Sequence, residues 1–288
     1  MEEIVYLNGR LVPKREAKIS IFDHGFLYGD GLFETMRSYN GRVFRLTEHI
    51  KRLFKSAKFL RLKLGVTEEE IETAVQETIK ANDLLDAYVR LTISRGEGET
   101  GPDPSTCPKS TVVIIARPFR SYPHELYEKG ARAIIANTRQ DDLSPLARVK
   151  SMNFLNNILA LMEAKAAGVD QAILLNTKGF VAEGAVGNIF IFRDNTLITP
   201  PKDAGILPGI TRRLVLKLAK GLQIPIRVGN FPPDALMQAQ ECFLTNSLME
   251  ILPIVQVADH PIGTGRPGPV TQQLILAYRE LVRIETRY

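Results

Sequence analysis

The chain has 288 residues, 44% of them hydrophobic and 24% charged, which suits one large or two ordinary folded domains and excludes a disordered chain. The formal net charge is +5, but Lys and Arg are scattered with no basic run, so the excess suits small anionic ligands and not nucleic acid. No apolar run is long enough to cross a bilayer, the opening stretch lacks the character of a secretion signal, and Cys107 and Cys242 form neither a disulfide framework nor a metal motif; a reducing cytoplasm is the expected compartment.

In chain order, Ile4–Leu7 and Arg10–Val12 flank Asn8-Gly9, a strong signal for a hairpin. Apolar Ile50, Leu53, Phe54 and Ala57 recur at helical spacing and predict a helix over Glu48–Leu60. A second helix is predicted from Thr67, with Glu70 completing a capping box, to about Asn82. Ala87–Ser94 and Thr111–Ala116 are rich in β-branched residues and predict strands. Pro118 and Pro123 bracket a polar stretch without periodicity, read as a linker over 118–126.

Beyond it, Ala131–Ala136 predicts a strand and Phe154–Ala167 a helix stopped by Gly168. Gln171–Leu175, Phe180–Ala182 and Asn188–Phe192 read as short strands. Helices return over Thr211–Lys220 and Pro269–Arg283. Strands and helices mix in both halves without a regular βαβ repeat, so the expected fold class is α+β in two domains, 1–117 and 127–288.

Gly96-Glu97-Gly98-Glu99-Thr100-Gly101 is a literal G-x-G-x-x-G behind a predicted strand. A dinucleotide site would need a helix N-terminus directly after it, and Pro102, Asp103 and Pro104 prevent one there. The stretch reads instead as a glycine-rich loop.

The chemistry concentrates between Arg148 and Phe192. Lys150 stands between a polar segment and an amphipathic helix, with apolar segments on both sides. An amine in such a place can have the lowered pKa that Schiff-base chemistry requires. Glu183 lies in Val181-Ala182-Glu183-Gly184 between two apolar strands.

Lys150-Ser151, an aromatic followed by Leu155-Asn156, then Gly179-x-Val181-x-Glu183-Gly184 and Asn188-x-Phe190, resembles the class IV aminotransferases, the fold-type-IV pyridoxal-phosphate enzymes. That family includes branched-chain aminotransferases, D-amino acid aminotransferases and aminodeoxychorismate lyases. The resemblance extends from Asn8-Gly9 to Gly268-Pro269-Val270-Thr271. It implies a two-domain α+β fold of the D-amino acid aminotransferase type, with Lys150 in the C-terminal domain. Pyridoxal 5'-phosphate is the implied cofactor, and a homodimer or higher homo-oligomer the implied assembly.

The resemblance also implies roles. Lys150 would carry the cofactor and move a proton between substrate and cofactor. Glu183 would pair with the pyridine nitrogen, since a protonated ring is the better electron sink. Leu207-Pro208-Gly209-Ile210-Thr211-Arg212 leads into a helix, so the amides of Ile210 and Thr211 and the Thr211 hydroxyl would face the phosphate. Thr245-Asn246-Ser247-Leu248 is similar to the family's second phosphate turn, with Ser247 and Leu248 as donors. Arg52 matches the family's phosphate arginine. Tyr28, Phe33 and Arg37 fall in or beside the N-terminal substrate motif, Tyr28 reaching over from a neighbouring subunit. Tyr88 and Arg90 resemble the Tyr-x-Arg that holds substrate carboxylates, and they alternate with Val89 on one strand face.

Three positions depart from the branched-chain pattern: Thr35 stands where Gly is usual, Phe154 where Tyr is frequent, and Thr245–Glu250 is closer to the turn of the lyases. The leading reading is transamination between a hydrophobic L-amino acid and 2-oxoglutarate. Second is a lyase releasing pyruvate from 4-amino-4-deoxychorismate, and third a D-amino acid aminotransferase, whose Arg-x-His trap is missing. A binding protein that has lost its chemistry conflicts with the presence of both Lys150 and Glu183.

Overall fold

The computed structural model describes residues 2–287. The chain divides into two compact units: one comprises the chain up to Arg120 together with Val149–Asn153 and the stretch from Val282 onward, the other Ser121–Arg148 and Phe154–Leu281.

The first unit contains β1 (Ile4–Leu7), β2 (Arg10–Pro13), α1 (His24–Tyr28), β3 (Gly31–Tyr39), β4 (Arg42–Val43), α2 (Leu46–Phe59), α3 (Glu68–Ala81), β5 (Ala87–Ser94) and β6 (Thr111–Pro118). Its strands make a six-stranded sheet in the order β2-β1-β6-β5-β3-β4, with antiparallel pairings throughout. Strand alternation sends Leu32 and Met36 of β3, and Val89, Leu91 and Ile93 of β5, into one core. Helix α2 closes that core with Ile50, Leu53 and Ala57, and α3 with Ile71, Ala74, Val75 and Ile79, each series at helical spacing. The predicted capping box at α3 has both of its bonds: Glu70 N–H donates to Thr67 Oγ1 (3.1 Å) and Thr67 N–H to Glu70 Oε2 (2.7 Å). The opposite face of β3 and β5 carries Phe33, Thr35 and Arg37 beside Thr92, Arg90 and Tyr88, in that register.

The second unit contains α4 (Glu125–Glu128), β7 (Ala131–Gln140), α5 (Leu155–Ala166), β8 (Gln171–Asn176), β9 (Val181–Gly184), β10 (Asn188–Arg193), β11 (Thr196–Thr199), α6 (Ile210–Gly221), β12 (Ile226–Val228), α7 (Pro233–Met237), β13 (Glu241–Asn246), β14 (Glu250–Val257), β15 (His260–Pro261) and most of α8 (Pro269–Glu285). Its nine strands run β12-β11-β10-β13-β14-β7-β8-β9, with β15 added to β14. The sheet is mixed, because β11/β12, β14/β7 and β7/β8 pair in parallel. Residues of β8 and β9 are buried on both faces, which explains the near-continuous apolar reading of that stretch.

The division differs from the expected domains in two places. Strand β6 continues to Pro118, through the start of the expected linker, and the boundary falls after Arg120. Lys150 was expected in the C-terminal domain, yet Val149–Asn153 groups with the first unit. The cause is backbone pairing: Phe33 N–H donates to Lys150 O and Met152 N–H to Gly31 O, both at 2.9 Å, with Ser151 bridged to Leu32. Within the first unit, residues 150–152 thus pair along β3.

Candidate active site

In the first unit, Lys150 Nζ lies 4.4 Å from the centroid of the Phe33 ring. The Arg90 guanidinium carbon lies 3.5 Å from the same centroid, so one aromatic side chain meets two cations. Arg90 Nε donates to Thr92 Oγ1 (3.2 Å), and Thr35 is its cross-strand neighbour. Burial lowers the Arg90 pKa below its ordinary value, while a hydrogen bond and charge interaction with Tyr88 and the charge of Glu34 oppose that. Lys150, Phe33, Tyr88 and Arg90 are therefore brought together in the first unit. An amine beside a guanidinium and a phenol suits an anionic substrate.

Glu34 points the other way from Phe33, into the core side, and is completely buried. Its carboxylate accepts from Arg52 through two guanidinium nitrogens (2.8 and 2.6 Å), and His49 Nδ1 lies 2.7 Å from Oε2. Burial alone would raise the Glu34 pKa; the Arg52 charge, the Arg52 hydrogen bonds and His49 outweigh it and hold the group at about 2. Burial, aided by the charges of Arg52 and Lys150, pushes His49 below its ordinary value despite Glu34. The imidazole is then neutral, with its proton on Nδ1 facing the carboxylate. Arg52 is thus fixed in a bidentate pair on α2, a geometry that sets the plane of its guanidinium.

Two other expected substrate residues sit differently. Tyr28 ends α1, and its phenol oxygen accepts from Gly101 N–H (2.7 Å). Arg37 pairs bidentately with Asp86 (3.0 Å for each bond) between the rings of Tyr39 and Phe119, at 4.2 and 3.9 Å. Both the edge and the faces of its guanidinium are engaged, so Arg37 is assigned to this pair and not to substrate.

In the second unit, β9 presents Glu183, which is 6% exposed. Glu183 Oε2 accepts from Asn188 Nδ2 (2.9 Å) and from Leu207 N–H (3.2 Å). Asn188 Nδ2 also donates to Leu207 O (2.9 Å), and a Cβ on Gly209 would come 1.9 Å from Asn188 Oδ1. One amide therefore ties the carboxylate to the turn that feeds α6. That turn ends at Gly209, the N-cap, and no side chain caps the helix. Ile210 and Thr211 are its first two residues and are buried. Thr211 lies inside the helix, two residues past the Gly209 N-cap, in the first turn whose amides have no partner within the helix. Arg212 turns away, donating to Thr199 Oγ1 (3.2 Å) and Pro200 O (2.8 Å).

The turn after β13 holds Ser247 and Leu248. Asn246 Oδ1 accepts from Leu248 N–H (2.8 Å) and Met249 N–H (2.7 Å), and Asn246 Nδ2 donates to Val186 O (2.9 Å). The Leu248 amide is thus spent on the turn itself.

These donors fit a phosphorylated pyridine cofactor. An uncapped buried helix N-terminus suits a phosphate, and a buried carboxylate held by two donors suits a cationic ring nitrogen. Among the described residues no group of His, Cys, Asp and Glu could hold a metal ion.

The model of the family described as amino-transferase class IV matches residues 31–257. The chain belongs to this family. A Methanocaldococcus jannaschii protein provisionally named a branched-chain-amino-acid aminotransferase is 44% identical over 280 residues, 96% of each chain. The aminodeoxychorismate lyase of Bacillus subtilis is 34% identical, covering 97% of this chain and 95% of the relative. The crystal structure of the Escherichia coli branched-chain amino acid aminotransferase matches with a TM-score of 0.95 at 33% identity, over 100% of this chain and 97% of the other.

Sequence reasoning about this class IV aminotransferase missed Asn188 as a partner of Glu183 and Glu34 as the anchor of Arg52. Asn188 stood in a quoted motif but carried no role; its five-residue offset from Glu183 across a hairpin was the available signal. Glu34 gave less, because its partners lie 15 and 18 residues away on a helix.

Proposed function

We propose that this class IV aminotransferase uses pyridoxal 5'-phosphate to move an amino group between a hydrophobic, branched-chain L-amino acid and 2-oxoglutarate. One observation carries the reading: the Lys150 amine shares the Phe33 ring with Arg90, next to Tyr88, in a chain alike over its full length to branched-chain aminotransferases. The bound cofactor supplies an electron sink for the charge left on the substrate α-carbon. Lys150 Nζ carries the cofactor and holds the proton in transit. Glu183 keeps the ring nitrogen protonated, and Asn188 aims Glu183. Ile210 and Thr211, Ser247 and Arg52 hold the phosphate. Tyr88 and Arg90 orient substrate carboxylates, and Phe33 and Tyr28 line the side-chain pocket.

The Asn246 turn and the Bacillus subtilis relative favour a second reading, pyruvate release from 4-amino-4-deoxychorismate. The purified protein with cofactor is incubated with leucine, valine or D-alanine plus 2-oxoglutarate, and separately with aminodeoxychorismate. Glutamate formed from leucine or valine is the expected result; pyruvate release without amino transfer would overturn it. Lys150→Ala is expected to abolish both the visible absorbance of the lysine–cofactor linkage and turnover.

A homo-oligomer is part of the proposal. Helix α5 exposes Leu155, Ile158, Leu159 and Met162, spaced i, i+3, i+4 and i+7, as one apolar stripe. A second copy is the occupant that fits a symmetric, fully active assembly. A cytoplasmic location goes with the unpaired Cys107 and Cys242, and no described helix is long and apolar enough to cross a membrane.

A further inference from the structure

The glycine-rich stretch 96–101, which has no place in the cofactor chemistry, is zipped onto the short segment that ends in Tyr28. His24 N–H donates to Gly96 O (2.9 Å), Gly98 N–H to Phe22 O (3.3 Å), and Asp23 is bridged to Glu97. Further along, His24 Nε2 lies 3.0 Å from Glu99 O, and Gly101 N–H donates to the Tyr28 oxygen. The glycines are explained by this close approach. A Cβ on Gly98 would sit 2.6 Å from Cys107 Sγ and 2.9 Å from His24 Nε2; one on Gly96, at φ +96°, would sit 1.8 Å from Lys109 O.

His24 is the centre of the zipper. It is completely buried, and its ring meets the Tyr28 ring edge-on at 5.0 Å and 87°. The carbonyl opposite Nε2 requires the proton on that nitrogen, and Nδ1 is buried without a hydrogen-bond partner among the described residues. A buried polar atom left unpaired is costly, so what the ring gains elsewhere must outweigh it. Asp23 fixes the base of the device: its carboxylate accepts from Gly25 N–H, Ser94 Oγ and Thr111 Oγ1 at 2.7, 2.8 and 2.7 Å.

We propose that His24 is a positioning residue for Tyr28: it holds the 96–101 loop so that the Gly101 amide pins the phenol oxygen and leaves the phenol proton directed away from the loop, toward substrate. Two contacts reach Tyr28 from one imidazole, the ring directly and the oxygen through Glu99 to Gly101. The inference rests on the reading of Tyr28 as a pocket residue given above.

The test uses the holoenzyme with the amino donor identified in the transamination assay. His24→Asn shortens the side chain and loses the bond to Glu99; His24→Gln places an amide nitrogen near the position of Nε2. Three quantities are measured: KM and kcat for the amino donor, cofactor affinity by absorbance titration, and the rate of tryptic cleavage after Lys109. His24→Asn is expected to raise KM about tenfold, the scale of one lost hydrogen bond, with kcat and cofactor affinity near wild type and faster cleavage. His24→Gln is expected to restore KM and protection, and Tyr28→Phe to raise KM without faster cleavage. In a Tyr28→Phe background, His24→Asn should add little to KM. Faster cleavage with unchanged KM would reduce His24 to a structural residue and overturn the proposal, as would a full KM effect in the Tyr28→Phe background. Unchanged KM in Tyr28→Phe would remove Tyr28 from the pocket, and this proposal with it. Absence of transamination by the wild type would instead remove the proposed function, and with it the basis of the inference.

Discussion

Glu34 shows how one residue can organise a site without being part of it. Its carboxylate carries a guanidinium and an imidazole in a buried setting, where an unpaired charge is far more costly than a paired one. Glu34→Gln would leave Arg52 facing an amide, and we expect it to lower unfolding free energy by about 3–5 kcal/mol, measured by denaturant titration. The pH dependence follows from the direction of the shift. A carboxyl held at about 2, below its ordinary 4.5, contributes its full stability above the ordinary value and loses it as the pH falls toward 2. The gap between wild type and Glu34→Gln should therefore narrow between roughly pH 4.5 and 2; a constant gap would disprove the pairing. Lys150 and Glu183 could be singled out because each sits in a short motif. Glu34 was not, since nothing local in Phe33-Glu34-Thr35 gives it a partner, and only the turn of α2 brings Arg52 and His49 to it.

Among elements, legibility followed the strength of local chemistry. The α3 capping box was fixed by two side chains three residues apart, and both bonds are present. We expect Thr67→Ala to cost about 1 kcal/mol in chemical denaturation, while an unaltered midpoint would mean that solvent replaces the cap. Strand β3 was not recognised as a strand, because Glu34, Arg37 and Ser38 interrupt any simple alternation of apolar and polar residues. Strand β14 was obscured by Pro253 and by burial of both faces. The prolines behind the glycine loop set it apart from a dinucleotide motif, but its packing onto α1 depends on contacts more than 70 residues away in sequence. Gly96→Ala combines a left-handed φ with a 1.8 Å approach to a carbonyl. It should expose the loop to trypsin and lower stability by more than about 1 kcal/mol; wild-type resistance would show that the loop can relax.

For the whole molecule, composition and charge correctly limited the ligand to something small, while assembly had to be argued from exposed surface. The α5 stripe supplies the test. Leu159→Glu and Met162→Lys place charges on two residues that are 45% and 60% exposed, so a monomer should tolerate them with little loss of stability. We expect the mass measured by sedimentation to fall toward that of one chain; an unchanged oligomer would move the contact elsewhere. The two-unit organisation was legible as two α+β halves. The reassignment of Val149–Asn153 was not, because a five-residue segment joining another sheet leaves no periodic trace.

That segment has a consequence for how the protein is made. The first unit takes its strands from the early part of the chain, its lysine segment from the middle, and its closing piece from residues 282–287, where Arg45 pairs with Glu285 and Asn40 Nδ2 donates to Thr286 O. During synthesis from the N-terminal end, the six-stranded sheet leaves the ribosome well before its last pieces exist. The second unit must be translated in the interval. Lys150 therefore joins its sheet partway through synthesis, and the unit that holds it is completed only when residues 282–287 arrive.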